Sequence, residues 1–257
     1  MKNFKSAVGY SILMMLLGIL PLLGAVCVSM ADPSLESYAI PFCYLIGGLI
    51  CILANKKLLK VDTASSFSKP VPLTFALITI AGLAWSLADV FIANRHTFET
   101  GTLDGSFKEI YIMVTTVCIN PLAEELIFRL GAMTVLLIAA GKSNKKKAAA
   151  LIITVLPWIG LHFPRTSARA IDLILVGIII SLIYILSKNV VYCLAFHISA
   201  NLVTMAAAPF AKTILANGYL MYVGIALVAV CLPLALVKMH SRGKCVSFQP
   251  MSSLLKA

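Results

Sequence analysis

The sequence predicts an all-α protein: a polytopic transmembrane helical bundle of about eight spans, with both termini cytoplasmic. Three observations predict it. Of the 257 residues, 60% are hydrophobic and 12% charged, about half the charged share of a soluble domain, too little to coat a water-soluble globule. Apolar runs approaching the length that crosses a hydrocarbon core recur from end to end. Lysine and arginine gather in alternate loops between those runs.

The runs fall at roughly 7–30, 38–54, 70–93, 108–140, 147–163, 168–186, 190–208 and 218–237. The first follows Lys2 and Lys5, and Ser29-Met30-Ala31 resembles a signal-peptide cleavage site. Its apolar run exceeds the usual signal core, so it reads as a retained span. The fourth is too long for one plain span. Its start, Ser106 to Tyr111, is expected along the interface, with Pro121 kinking the helix. No internal repeat or low-complexity tract is evident.

With the N-terminus inside, the cytoplasmic stretches hold Lys2, Lys5, Lys56, Lys57, Lys60, Lys69, Lys142, Lys145, Lys146, Lys147, Lys188, Lys238, Arg242, Lys244 and Lys256. The opposite side holds Arg95, Lys108, Arg165, Arg169 and Lys212, so the ratio is 15 to 5, with Arg129 inside a span. That bias sets the orientation and favours an even number of spans. The net charge of +11 is therefore a topology signal. No basic helix face or interleaved aromatics accompany it, so nucleic acid is not expected as a partner. The seven cysteines, Cys27, Cys43, Cys51, Cys118, Cys193, Cys231 and Cys245, lack metal-type pair spacing and read as small buried hydrophobes.

Three polar clusters interrupt the apolar runs. A charge at the bilayer centre costs about 2.5–3.5 kcal/mol on insertion scales, so such residues need partners or a use. Glu125 and Arg129 are four apart, share a helix face and can form an ion pair. Glu124 lies about 140° around the helix from Arg129 and is expected to face elsewhere, into a polar cavity, as a general base. The competing reading is a purely structural triad. His162 follows Trp158 by one turn, on the same face. Alone it reads as an interfacial hydrogen-bonding residue more readily than as a catalyst, and Pro164 and Arg165 mark the end of its helix. His197 and Asn201 also share one face and suit stabilisation of an oxyanion. Their competing reading is interhelical polar glue, worth about 0.6 kcal/mol per contact. Cys193, four before His197, raises a Cys–His nucleophile that no adjacent pattern supports. Asp89 and Asp172 stay open between packing and helix-end roles.

The chain has no His-Glu-x-x-His motif, no Gly-x-Ser-x-Gly elbow and no Gly-x-Gly-Asp pairing, which leaves the glutamate–histidine set as the candidate chemistry. At these residues the chain resembles the CPBP family, the CAAX-processing and bacteriocin-processing (Abi) endopeptidases. That family carries Glu-Glu-x-x-x-Arg, Phe-x-x-x-His and His-x-x-x-Asn, in order, on separate transmembrane helices. The matches are Glu124-Glu125-Leu126-Ile127-Phe128-Arg129, Trp158-Ile159-Gly160-Leu161-His162 and His197-Ile198-Ser199-Ala200-Asn201. Trp158 stands where the family has phenylalanine, a swap expected to alter pocket shape more than chemistry.

The resemblance implies an intramembrane endopeptidase acting on a membrane-associated protein or peptide substrate within the lipid bilayer. Glu124 would act with His162 on a water molecule, His197 and Asn201 would hold the oxyanion, and Glu125 with Arg129 would support the site. The family has also been described as metal-dependent. Glu124, His162 and His197 would then supply three ligands to a divalent metal such as zinc and leave an open position for water. The sequence leaves both forms of water activation open. The whole chain, 1–257, is expected to form a single transmembrane domain, with a catalytic core at about 108–208 and a basic cytoplasmic tail at 238–257.

Two other function classes compete. One is a non-catalytic membrane protein of the same fold, acting in bacteriocin self-immunity or as a partner-binding scaffold. The other is a proton-relaying transporter, which predicts discontinuous helices with internal symmetry. With no large soluble domain or transit peptide, the expected location is a prokaryotic cell membrane. One geometric tension stands: His162 lies roughly 22 Å beyond the cytoplasmic Lys147, but His197 only roughly 12 Å beyond Asn189. Shifted helix boundaries are expected to reconcile them.

Overall fold

The computed structural model describes residues 3–32, 35–58, 60–61, 63–92, 107–206 and 217–242. Lys2, Arg95, Ser106, Lys212 and the tail from residue 243 lie outside the described residues. The described chain is helical without strands and contains eight helices and one short 3-10 turn. Helices α1 (Phe4–Ala31), α2 (Glu36–Leu58) and α3 (Pro72–Ile92) come first, with the 3-10 turn Ala64–Phe67 before α3. Residues 107–140 form one unbroken helical run, α4. Then come α5 (Asn144–Leu161), α6 (Ser167–Ser187), α7 (Val190–Ala206) and α8 (Tyr219–Arg242). Five of these, α1, α2, α3, α6 and α8, are long and apolar enough to cross a membrane. The protein is a multi-pass membrane protein.

Local chemistry sets the helix ends. Asn3, Ser143 and Thr166 cap α1, α5 and α6 by accepting from the backbone N–H of Lys5, Lys146 and Arg169. Gly141, at φ 55°, turns the chain out of α4, a conformation that favours glycine. Close helix contacts rest on small residues. A methyl added at Gly47 would sit 1.8 Å from the Gly18 carbonyl oxygen, so α1 and α2 touch backbone to backbone. The same test at Gly82 gives 2.6 Å to the Phe196 carbonyl oxygen, which seats α7 and its His197 against α3.

Helix α4 is the axis of the bundle, packed by α1, α2, α5 and α7. Every residue from 123 to 137 is buried. A helix enclosed on all sides presents none of its face to lipid, so Glu124, Glu125 and Arg129 are sheltered by protein. The outer surface instead carries exposed apolar side chains such as Leu20, Phe42, Leu156 and Val237.

The expected kink at Pro121 takes another form. Two widened π-helical stretches, Thr115–Ile119 and Glu125–Met133, flank the α-helical Asn120–Glu124. A proline lacks an N–H and crowds the preceding turn, and a widened turn before it absorbs both effects.

One end of the bundle is basic and knitted shut. Lys146 lies over the Phe4 ring, joining the starts of α5 and α1. Ser66 and Tyr184 are 3.4 Å apart, and Asn189 donates to the Ser68 carbonyl at 2.8 Å. At this end, outside the spans, burial and then the charge of Lys147 push the Lys188 ammonium below its usual range. The helix bounds do not shift to remove the difference between His162 and His197, since α5 starts at Asn144 and α7 at Val190. Asn189 is buried and caps α7 by accepting from Val191 N–H, whereas Lys145 and Lys146 stand exposed. The start of α7 is thus enclosed by protein where the start of α5 is not.

Candidate active site

At the opposite end, the second half of α3, the first half of α4, the end of α5, the start of α6 and the second half of α7 enclose a cavity of about 900 Å³. Glu124, His162, His197 and Asn201 all line it. Glu125 and Arg129 lie behind it, fully buried.

Helix geometry brings each side chain there. Glu124 comes from the α-turn of α4 that ends where the π-helical stretch begins. Glu124 faces the cavity while Glu125 lies behind it, yet both carboxylates reach the same side chain. The two carboxylates meet opposite nitrogens of one imidazole: His197 Nδ1 is 2.8 Å from Glu125 Oε1, and Nε2 is 3.8 Å from Glu124 Oε2. His162 stands on the other side, with Nε2 3.8 Å from Glu124 Oε1. It caps α5, and its side chain is 24% exposed against 8% for Glu124.

The partners fix which nitrogens face the cavity. A carbonyl only accepts, so the 2.8 Å contact between His162 Nδ1 and the Trp158 carbonyl is an Nδ1–H donation. Neutral His162 then presents a bare Nε2 toward Glu124. His197 likewise donates Nδ1–H to the Glu125 carboxylate, an arrangement that orients the ring and stabilises it when protonated. Glu125 is thus tied more closely to His197 than to Arg129, whose Nη1 is 3.4 Å away. The simple reading of Glu125 as a structural partner for Arg129 is incomplete.

Trp158 does more than shape the pocket. Its indole Nε1–H donates to Glu124 Oε2 at 2.5 Å, a bond that phenylalanine cannot make. The Arg129 guanidinium lies 5.4 Å from the centre of the Trp158 ring, within cation–π range. The ring is also 4.5 Å from the His162 ring and 6.0 Å, edge-on, from that of His197.

Among the described residues, no three His, Cys, Asp or Glu side chains gather closely enough to hold a metal ion. The two 3.8 Å separations from Glu124 exceed the roughly 3.3 Å edge implied by zinc bonds of about 2.0–2.1 Å in a tetrahedral site. As arranged, the donors do not fit a zinc centre. A water molecule accommodates such a gap, since it can donate to two acceptors at about 2.8 Å each.

Other sequence candidates separate cleanly. Cys193 is buried, with Sγ 3.7 Å from the carbonyls of Ile180 and Asn189, and is not among the residues lining the cavity. Asp172 lies at the mouth, where it pairs with Arg169 and accepts from Trp85 Nε1 at 3.1 Å. Asp89 lines the cavity too. Sequence reasoning missed Asn120, which lines the cavity one turn before Glu124 and whose Oδ1 has no hydrogen-bond partner. The four-residue spacing that singled out His197 and Asn201 would have found it.

Residues 106–203, which contain Glu124, Glu125, Arg129, Trp158, His162, His197 and Asn201, match the family model described as type II CAAX prenyl endopeptidase Rce1-like. No curated protein matches the chain. No solved structure matches it either.

Proposed function

This chain belongs to the CPBP family, and we propose that it is an intramembrane endopeptidase working through a glutamate–histidine-activated water. The observation that carries the reading is the position of Glu124, whose two carboxylate oxygens each face the Nε2 of a different histidine at 3.8 Å inside one cavity. A water between Glu124 Oε1 and His162 Nε2 donates one hydrogen to each and turns its free lone pairs toward the cavity. As its oxygen attacks a peptide carbonyl carbon, Glu124 takes its proton. The Asn201 amide donates to the oxyanion, as does His197 Nε2 when the ring, held at Nδ1 by Glu125, carries a hydrogen there. The collapsing intermediate breaks the C–N bond, and Glu124 returns its proton to the leaving amine.

Trp158 holds the second oxygen of Glu124, so the carboxylate keeps one orientation through the cycle. The eight helices are read as eight spans, with both termini at the lysine-rich, cytoplasmic end of a prokaryotic cell membrane. The substrate is a membrane-associated protein or peptide. The matched family's printed activity, on CAAX prenyl proteins, is one candidate substrate class.

The test is proteolysis of a membrane-anchored peptide by the purified protein in liposomes. Glu124→Gln, which keeps size but not basicity, is expected to lower kcat more than a hundredfold. Cleavage at the wild-type rate would remove Glu124 from the chemistry. Wild-type turnover is expected to survive dialysis against a chelator, given the donor spacing. Its loss, restored by added zinc, would instead call for ligands drawn closer than they stand here.

A further inference from the structure

The two ends of this bundle differ in charge as well as in openness, and together they give the cavity a side. Every element lining it contributes the half that lies away from the lysine-rich loops. Trp85 and Asp89 are late in α3, Asn120 precedes the midpoint of α4, His162 closes α5, Arg169 opens α6 and Asn201 is late in α7. Lys69, Lys142, Lys145 and Lys188, which flank these helices, belong to the other end, against Lys108, Arg165 and Arg169 at the cavity end. There the Tyr184 hydroxyl bridges Thr134 and Ser66, and Asn189 ties to Ser68, so that end is closed by hydrogen bonds.

Lysine-rich loops are retained on the cytoplasmic side. We infer that the catalytic cavity opens to the extracytoplasmic face. On that basis the substrate is a membrane-anchored chain whose scissile bond lies in the outer leaflet or just beyond it. That removes the CAAX prenyl class from the candidates above, because a C-terminus lipidated in the cytosol is presented to the wrong side. This substrate class rests on the endopeptidase reading; the sidedness does not.

His162 sits in the cap of α5, one residue past its last turn, and Phe163 beside it is exposed. Glu124 and His197 come from nearer the middle of α4 and α7, so the end of α5 is the side from which the cavity is entered.

Two measurements on the full-length protein in bacterial membranes separate the claims. Ser167→Cys at the mouth and Lys145→Cys at the basic end are each exposed to a membrane-impermeant maleimide in intact cells, and the labelled peptides are identified by mass. Ser167→Cys is expected to label in intact cells, and Lys145→Cys only after permeabilisation. The reverse pattern overturns the sidedness.

In the second measurement, two single-span reporters carry the same cleavable segment, one just outside and one just inside the membrane, with Glu124→Gln as the control. Cleavage of the outer reporter alone is the expected result. Cleavage of the inner one alone overturns the substrate class and leaves the endopeptidase reading standing. Cleavage of neither overturns that reading and the substrate class together, while labelling still decides which way the cavity faces.

Discussion

The closed and open ends of the bundle use the same kinds of polar side chain for opposite purposes. At the closed end, Asn55 donates to the carbonyls of Leu130 and Gly131 at 2.9 and 3.0 Å, and Thr134 Oγ1 donates to the Arg129 carbonyl at 3.1 Å. Those carbonyls lie within the π-helical stretch of α4, where a shifted hydrogen-bond pattern leaves backbone groups to be satisfied from outside. At the open end, Glu124, His162 and His197 point functional atoms at one another across gaps of 3.8 Å. Polar groups that donate to backbone carbonyls hold structure together. Groups that converge with capacity to spare are equipped to act on something else.

The junction between these regimes, Glu125 with Arg129, should give the largest effect when altered. Arg129 is completely buried, and several polar atoms of this pair, including Arg129 Nε and Glu125 Oε2, have no hydrogen-bond partner. Removing one charge of a buried pair strands the other at a cost of about 3–5 kcal/mol. Glu125→Gln is expected to lower the Tm in detergent by many degrees and to abolish cleavage, because His197 also loses its carboxylate. If Tm holds while only kcat falls, the pair belongs to the open end's chemistry alone.

Trp158→Phe sharpens the comparison at smaller amplitude. The substitution restores the aromatic expected of the family but deletes the donor to Glu124 Oε2. A hydrogen bond to a charged group contributes about 1.5–3 kcal/mol. Part of that is recoverable by a rearranged water, so kcat is expected to fall about tenfold with KM nearly unchanged. An unaltered kcat would mean that the indole only fills space.

Much of this was legible in the chain. The helix ends follow the apolar runs within a few residues, because length in hydrocarbon and charge in loops are both written locally. The residues of the cavity were legible through four-residue spacing within apolar runs, as with His197 and Asn201. What could not be read was how the helices dock. An ideal 100° step separates Glu124 from Glu125, yet both carboxylates reach the His197 ring once α7 packs on α4. The enclosure of the start of α7 depends on Asn189 meeting Ser68 across 121 positions of sequence, a pairing no local pattern announces. Trp158 likewise read as bulk, because its N–H matters only once α5 is docked on α4.

The smallest effect should come from the closed end and carry no catalytic signature. Tyr184→Phe removes a hydroxyl lying 2.6 Å from Thr134 Oγ1 and 3.4 Å from Ser66 Oγ. Thr134 keeps the Arg129 carbonyl as its acceptor, so no donor in α4 is stranded, and the loss should be about 1 kcal/mol. A small fall in Tm is expected, with kcat per folded molecule unchanged. Thr134 follows directly on the π-helical stretch that carries Glu125 and Arg129, so this variant probes whether the two ends are mechanically independent. A matching fall in kcat would show that the hydroxyl network sets the pitch of α4, and with it the angle at which Glu124 meets the histidines.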